Sequence, residues 1–241
     1  MLRFFVSALL AVVTAGNVFA ITLEEVIANN LEARGGLSAI KKVATLKVTG
    51  TLAMQGMEAQ FTQYFKNGTK VKMDIDLNGE TMTTAFDGTD AWAKGPFTGG
   101  EAKLAPAEQA EKARSEADIY GDFVSSAEKG LRLELAGTVD VDGLTAYKVK
   151  ITNKDSSVSY SYIDAITWLE IKTETEVNMN GATIPVERKV SDYKSVDGVM
   201  FPMSTAIFYN GNEAMSMKWV TVTANMPVDD SLFTFPGEAK K

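Results

Sequence analysis

Residues 147–223 form one long stretch in which apolar and polar residues alternate between short turns. Alternation with a period of two is typical of strands that bury one face. Three of the turns are the dipeptides Asn180-Gly181, Asp197-Gly198 and Asn210-Gly211. Asn and Gly adopt the positive φ that tight hairpins require, so such dipeptides between alternating runs predict antiparallel pairing. The stretch therefore predicts an antiparallel meander, which is the main constraint on the fold.

Shorter alternating runs precede the meander at intervals of about ten residues, the spacing of an all-β sandwich or barrel. They lie at 45–54, 59–65, 70–76, 81–86, 90–93, 131–135 and 138–140. Together with the meander they predict a sheet of roughly 10–11 strands, and a sheet of that size curls rather than staying flat. The chain is therefore predicted to be mainly β, of the α+β class, with one concave apolar face.

Helical patterns interrupt the strands in two places. Residues 22–33 begin with Thr22 and Glu25 in the spacing of a capping box, and they end at a Gly-Gly pair that can cap a helix. Further helices are predicted at 37–43, at 106–117 and at 119–129. The segment 106–129 separates the two groups of strands, so it either covers one face of the sheet or forms a plain surface connection. The sequence leaves both interpretations open.

The N-terminus predicts export. Residues 1–20 combine Arg3 with an apolar stretch and the small-residue exit Val18-Phe19-Ala20, which is the layout of a cleavable secretory signal. A membrane anchor is the alternative, but the apolar run is shorter than the roughly 20 residues that a span needs. We therefore expect a signal peptide at 1–20 and a single domain at 21–241 that is soluble in the periplasm after cleavage.

Charge and composition exclude several functions. The net charge of −7 becomes −8 when Arg3 is lost with the signal, which argues against nucleic acid and against electrostatic docking on anionic lipid. Any membrane contact would have to be apolar. The sequence contains no Cys and no His, so it lacks thiol nucleophiles, the usual general base and the commonest metal ligand. We therefore expect no enzyme activity, no metal and no cofactor.

Methionines are the most unusual feature of the predicted strands. Ten remain after signal removal, and several share a strand face with Ile or Trp. Methionine is flexible and polarisable, so it suits either a surface that accepts ligands of variable shape or irregular core filling. A concave face with few helices to cover it favours a ligand cavity. The candidate cavity residues are Met54, Phe61, Phe65, Met73, Ile75, Met82, Phe86, Leu169, Ile171, Ile184, Val186, Met203, Ile207, Met215, Met217 and Trp219.

Arg188 is the only arginine in the meander. It shares the predicted strand face of Ile184 and Val186. It is therefore either a contact at the rim of the cavity or a tolerated strand residue, since arginine generally prefers exposure.

The order of several short motifs resembles the LolA-like outer-membrane lipoprotein-sorting proteins of the bacterial periplasm. The motifs are VDGLTAYKV at 141–149, YID at 162–164, TWL at 167–169, SDYK at 191–194, VDGVMFP at 196–202 and DDSLF at 229–233. The resemblance covers nearly all of the chain after residue 20. No binding residue of the family can be transferred by position.

The resemblance implies an open, strongly curved antiparallel half-barrel with a few helices covering its concave face. It also implies a carrier that binds acyl chains of lipoproteins or lipids, receives them from an inner-membrane donor and passes them to an outer-membrane acceptor. Related half-barrels serve as envelope sensors that bind a protein partner, so the fold alone leaves this alternative open. An enzyme acting on lipid esters is a third hypothesis, for which the sequence contains no catalytic constellation.

Overall fold

The computed structural model describes residues 21–179 and 181–237. The predicted signal peptide at 1–20 and Asn180 of one predicted turn lie outside the described residues. The helices are α1 (Leu23–Ala33), α2 (Leu37–Lys42) and α3 (Ala107–Ala117). Within the described ranges, no helix combines the length and the apolar character needed to cross a membrane.

One antiparallel sheet of 13 strands forms the body of the protein. Its strands are β1 (Thr45–Met54), β2 (Met57–Lys66), β3 (Lys70–Leu77), β4 (Glu80–Phe86), β5 (Ala91–Lys94), β6 (Lys103–Leu104), β7 (Arg132–Val141), β8 (Leu144–Thr152), β9 (Val158–Asp164), β10 (Glu170–Met179), β11 (Ala182–Ser191), β14 (Ser204–Tyr209) and β15 (Asn212–Ala224). A separate hairpin pairs β12 (Lys194–Val196) with β13 (Val199–Phe201). The sheet is an open, strongly curved half-barrel, which confirms the predicted fold class.

The chain starts in the middle of the sheet and fills it in two directions. The strand order is β6-β5-β4-β3-β2-β1-β15-β14-β11-β10-β9-β8-β7. The chain runs from β1 outward to one edge at β6, crosses to the other edge at β7, and returns by the meander until β15 pairs with β1. The residues between β6 and β7 therefore have to span the sheet.

The structure changes some details of the prediction. The runs at 131–135 and 138–140 form one strand, β7, with an irregularity between Leu135 and Gly137. The Asp197-Gly198 turn joins β12 to β13 rather than two strands of the large sheet, because β11 pairs directly with β14. The large sheet nevertheless has 13 strands, more than the 10–11 that were predicted.

The predicted helix at 119–129 is wrong. Residues 118–131 form successive turns instead. Gly121 has φ +82° and Ser125 has φ +56°, and the left-handed region is incompatible with a continuing right-handed helix. The segment still covers the sheet, since Val124 is buried in the main core beside Ala117 of α3.

The end of α1 docks on the small hairpin. Its first turn is closed by the predicted capping box, in which the Thr22 side chain accepts from the Glu25 backbone. At the other end, the Met200 amide donates to the Arg34 carbonyl at 3.0 Å. The Gly35 backbone lies so close to Gly198 that a Cβ on Gly35 would be 1.9 Å from the Gly198 oxygen. Only glycine fits at position 35, because its φ is also +108°.

We predict that Gly35→Ala lowers the free energy of unfolding by about 3 kcal/mol or more, since it combines backbone strain with a clash against backbone atoms. Gly56→Ala is the matched control: Gly56 also has a positive φ of +79°, but nothing lies within 4 Å of its Cβ position. The control should cost only about 1 kcal/mol. Urea unfolding measures both, and equal losses would contradict the predicted backbone clash.

Candidate functional site

The concave face is the sheet face against which α2 and α3 pack. Cross-strand register assigns its side chains: Leu52 pairs with Met217, Met54 with Met215, and Met215 in turn with Ile207. Ile207 faces Arg188 on β11, and Val186 lies further along the same strand. Most of the predicted cavity residues therefore share one continuous face.

The half of this face formed by β1–β4 is filled. Phe61, Phe65, Ile75 and Phe86 are buried in the main core, and Met203 from the other half joins them. Met73 and Met82 are half-buried at the margin of this core. α3 contacts β3, β4 and β5, and its Arg114 guanidinium lies 5.2 Å from the ring centre of Phe86. These candidates pack against protein.

The other half is only partly covered. Six of the predicted residues are half-buried on three neighbouring strands, and we call them the open apolar patch: Ile184 and Val186 on β11, Ile207 on β14, and Met215, Met217 and Trp219 on β15. Met54 lies beyond the patch at the tip of the β1–β2 hairpin and is exposed. The structure thus separates the predicted candidates into core residues and a patch that remains accessible to solvent.

Leu169 and Ile171 lie outside the patch. Ile171 packs beside Val141, Ala146 and Tyr162, a small cluster on the opposite sheet face. The cause is a β-bulge between Glu170 and Lys172, because an extra residue reverses the alternation of side chains. The same bulge turns the Glu170 side chain onto the concave face, whereas the alternation in the sequence predicts that it points away from that face.

Glu170 is the centre of a polar network on the concave face. Its carboxylate accepts from the Arg188 guanidinium at 2.6 Å and from the Ser161 hydroxyl at 2.7 Å. The Tyr193 hydroxyl donates to the Glu170 carbonyl at 2.8 Å. Arg188 is therefore held beside the open apolar patch, and its side chain keeps 42% of its accessible surface. Its role as a contact at the cavity rim stays a prediction.

A second layer of charges connects this network to the covering segment. Arg34, at the end of α1, donates to the Tyr120 carbonyl at 2.7 Å. Lys129 forms an ion pair with Asp118 and donates to the Gly121 carbonyl at 2.6 Å. These contacts join α1 and the 118–131 turns above the sheet. We call Arg34, Asp118, Asp122, Lys129, Glu170 and Arg188 the charged cluster.

Burial and like charges both act on this cluster. Burial raises the pKa of the Asp122 carboxyl, and the neighbouring Glu170 raises it further, while Lys129 opposes the shift. Burial lowers the pKa of the Arg34 guanidinium, and Glu170 opposes that change. Burial also raises the pKa of the Tyr193 hydroxyl, again with a contribution from Glu170. Glu170 therefore influences charges on α1, on the covering turns and on the loop after β11.

The opposite sheet face carries a cavity of about 880 Å³. Its floor consists of small outward-facing residues on the central strands, such as Ala53, Ser204, Ala206 and Ser216. Its wall includes Val141 and Leu144, together with Leu169 and Ile171 from the predicted set. Lys189 on β11 pairs with Asp142 at 2.6 Å beside it. The two sheet faces thus offer different sites, of which the concave one holds most of the predicted residues.

Metal ligation is not indicated by the described residues, in which no three Asp or Glu side chains come together as a metal site. The charged cluster contains the ion pairs Arg188–Glu170 and Lys129–Asp118, while Asp122 is near enough to Glu170 and Lys129 for their charges to shift its pKa. Chemically, it is suited to anchoring a polar group and to holding the cover in place.

The charged cluster was not predicted from the sequence, apart from Arg188. Glu170 lies two residues after Trp168, which has a φ of +60°. Trp168 in turn follows the turn at Asp164, and the irregular backbone of the bulge comes directly after it. No motif indicates that a residue between Leu169 and Ile171 turns inward. Arg34 and Asp122 lie far from β10 in sequence, so only the tertiary fold brings them together.

Three bacterial proteins of known structure are similar to this chain in fold. A DUF1329 family protein of Desulfovibrio piger superimposes with a TM-score of 0.60 at 13% identity, covering 89% of this chain and 98% of its own. A LolA superfamily protein of Nitrosomonas europaea has the same TM-score and coverage at 14% identity. An outer membrane lipoprotein-sorting protein domain of Vibrio parahaemolyticus gives 0.58 at 14% identity, covering 84% and 95%.

These similarities establish a LolA-like fold, which confirms the resemblance seen in the sequence motifs. At identities this low, they establish the fold alone. No protein-family model matches the sequence, and no curated protein matches it.

We predict that Arg188 and Glu170 are energetically coupled by about 1 kcal/mol in a double-mutant cycle of Arg188→Met and Glu170→Gln. The partly buried Glu170, with 26% of its side-chain surface exposed, loses solvent and therefore depends on its partner. The matched control is the Lys189–Asp142 pair, because it has the same 2.6 Å separation but a far more exposed carboxylate. Its coupling should be smaller, and a larger value would contradict this description of the concave face.

Proposed function

We propose that this protein is a periplasmic carrier that binds acyl chains of lipoproteins or lipids on the concave face and carries them toward the outer membrane. The observation that carries the proposal is the open apolar patch. Met215, Met217 and Trp219 on β15, beside Ile207 on β14, are apolar side chains that stay partly accessible while the first three also pack against the edge of the main core. Contiguous apolar surface of this kind is characteristic of ligand-binding grooves.

The energetics suit reversible binding. Burying one CH₂ group contributes about 0.8 kcal/mol, so a dozen methylenes contribute on the order of 10 kcal/mol before ordering costs. Methionine side chains adapt to chains of different shape with little strain. Such a patch could hold an acyl chain in solution and still release it to a better acceptor.

The polar end of the ligand would lie near Arg188. Its guanidinium is partly exposed at the margin of the patch and is held in position by Glu170. A guanidinium presents donors to carboxylate, phosphate or ester oxygens, all of which occur at the polar end of lipids. The charged cluster also joins α1 to the 118–131 turns, so movement of this cover would regulate access to the patch.

The cellular role is part of the same proposal. The predicted signal at 1–20 directs the chain to the periplasm, where an inner-membrane donor would load it and an outer-membrane acceptor would unload it. The apolar patch supports binding without any requirement for catalysis, and no cofactor is needed. The identity of the donor and the acceptor is independent of the binding test that follows.

We predict that the protein purified from the periplasm carries lipid, detected by native mass spectrometry and lipid extraction, and that it binds a fluorescent fatty-acid probe. Ile207→Gln should weaken probe binding about tenfold, since it places a polar amide on the patch. Ala206→Gln is the matched control, because the neighbouring residue faces the opposite cavity.

The pair of variants distinguishes the two faces. A loss of binding in Ala206→Gln alone would move the ligand to the 880 Å³ cavity. Absence of bound lipid together with failure to bind the probe would reject the carrier. In that case, a membrane protein that co-purifies irrespective of the patch would favour the alternative of an envelope sensor.

A further inference from the structure

The two ends of the half-barrel are built differently. One end is closed by α1, α2, the β12–β13 hairpin and the segment after β15. Three contacts anchor this closure: the Ala44 amide donates to Asn225 Oδ1 at 2.9 Å, the Met200 amide donates to the Arg34 carbonyl at 3.0 Å, and Trp92 Nε1 donates to the Phe233 carbonyl at 2.7 Å. Helices and the C-terminal segment therefore occupy this end.

The other end consists of hairpin tips, and we call it the hairpin end. Antiparallel pairing places the β1–β2, β3–β4, β10–β11 and β14–β15 connections on this side. The loop between β5 and β6 lies there too, because Gly95 lies against Met82 near the start of β4. By contrast with the closed end, no helix of the described chain packs across these tips.

Large apolar side chains project from three of these connections. Met54 and Met57 flank the β1–β2 turn, Met179 ends β10, and Phe97 lies in the β5–β6 loop. Met57 is 55% exposed and Phe97 is 85% exposed. Turns normally carry polar residues and glycine, so apolar side chains on several tips at one end indicate a contact surface.

The Phe97 loop is held in a fixed shape. Pro96–Thr98 form a 3-10 turn, the Gly95 amide donates to the Thr98 hydroxyl at 3.0 Å, and that hydroxyl donates to the Gly95 carbonyl at 2.9 Å. A pre-organised loop loses little entropy when its side chain enters an apolar phase. Phe97 is therefore presented to the outside rather than left on a free coil.

The exposed tips continue into the concave face. Met57 pairs with Met54, Met54 with Met215, and Met215 with Ile207, so a row of apolar side chains leads from the hairpin end into the open apolar patch. The tips are also spread out: Met54 on β1 and Met179 on β10 are four strands apart, about 20 Å at a strand spacing near 4.8 Å. A broad, flat apolar partner fits this spacing.

The charges at the hairpin end indicate which kind of lipid surface it can contact. Exposed carboxylates lie beside the tips at Glu58, Glu80 and Glu213, against exposed Lys94 and Lys103 beside the Phe97 loop, and the chain without residues 1–20 carries a net charge of −8. An anionic surface would be repelled. We infer that the hairpin end docks on a zwitterionic lipid surface, with Met57, Phe97 and Met179 inserted at the boundary between head groups and acyl chains.

The test is flotation of residues 21–241, which contain the whole described fold, with phosphatidylcholine vesicles. The protein should bind, and binding should neither increase with added phosphatidylglycerol nor fall when salt is raised from about 0.1 M to about 1 M. Phe97→Ser should weaken binding roughly tenfold, from the area of the lost ring, and Met57→Ser should weaken it less.

Ile166→Ser is the matched control. Ile166 is 84% exposed but lies in the β9–β10 loop at the closed end, so its substitution should leave vesicle binding unchanged. Both positions are so exposed that circular dichroism should show unaltered folding. No flotation of the unmodified chain, an equal loss in Ile166→Ser, or a dependence on anionic lipid would each overturn the proposal.

A self-associating surface gives a different result. If sedimentation shows a dimer that Phe97→Ser dissociates, the tips bind a second copy, and the lipid-surface proposal fails. The docking test is independent of the carrier proposal, because flotation needs no ligand on the concave face. Normal flotation of an unmodified chain that carries no lipid and binds no probe would reject the carrier alone, and probe binding without flotation would reject the docking proposal alone.

Discussion

The pairing of β1 with β15 is the contact on which the rest of the structure depends. Nine residue pairs run from Leu46 with Ala224 to Met54 with Met215, and within the described chain no other strand pairing joins the two half-sheets. Closing such long loops costs entropy that grows slowly with their length, so one well-matched ladder can offset it. Without this ladder, the concave face would be divided between two separate meanders.

The same topology explains why the concave face has a cover. β6 and β7 lie at opposite edges of the sheet, so residues 105–131 must pass across it. α3 packs on β3, β4 and β5, and the following turns are held by Arg34 and Lys129. The cover is thus a consequence of strand order, and the charged cluster fixes the position at which it crosses.

Local sequence signals predicted most of this fold, because alternation and turn chemistry act over a few residues. The hairpins, the capping box at Thr22 and the helix after Pro106 all follow from such signals. The features that the sequence did not predict depend on irregular backbone or on distant partners. The bulge at Glu170–Lys172 reversed two side chains, and the positive φ values at Gly121 and Ser125 replaced a helix with turns.

The candidate site shows the same contrast between features set by local sequence signals and features that depend on distant partners. Alternation in the sequence made Ile207, Met215 and Met217 cavity candidates, and the register of β14 with β15 places them on one face, but Arg34 and Asp122 approach Glu170 only through the crossing segment. Face membership can therefore be read from the sequence, whereas the electrostatic environment of that face cannot. Arg188 is the exception, because an arginine is unusual among the apolar residues of its strand face.

The distribution of aromatic residues and methionines indicates which half of the concave face can accept a ligand. Phe61, Phe65 and Phe86 fill the half under α3, and rigid rings packed at native density leave little room for a guest. Met215 and Met217 remain half-exposed in the other half, where flexible side chains can change rotamer at small cost. Because Met203 is buried in the core, methionine content alone does not identify a binding surface. What distinguishes the patch is its location on strands that the crossing segment covers only in part.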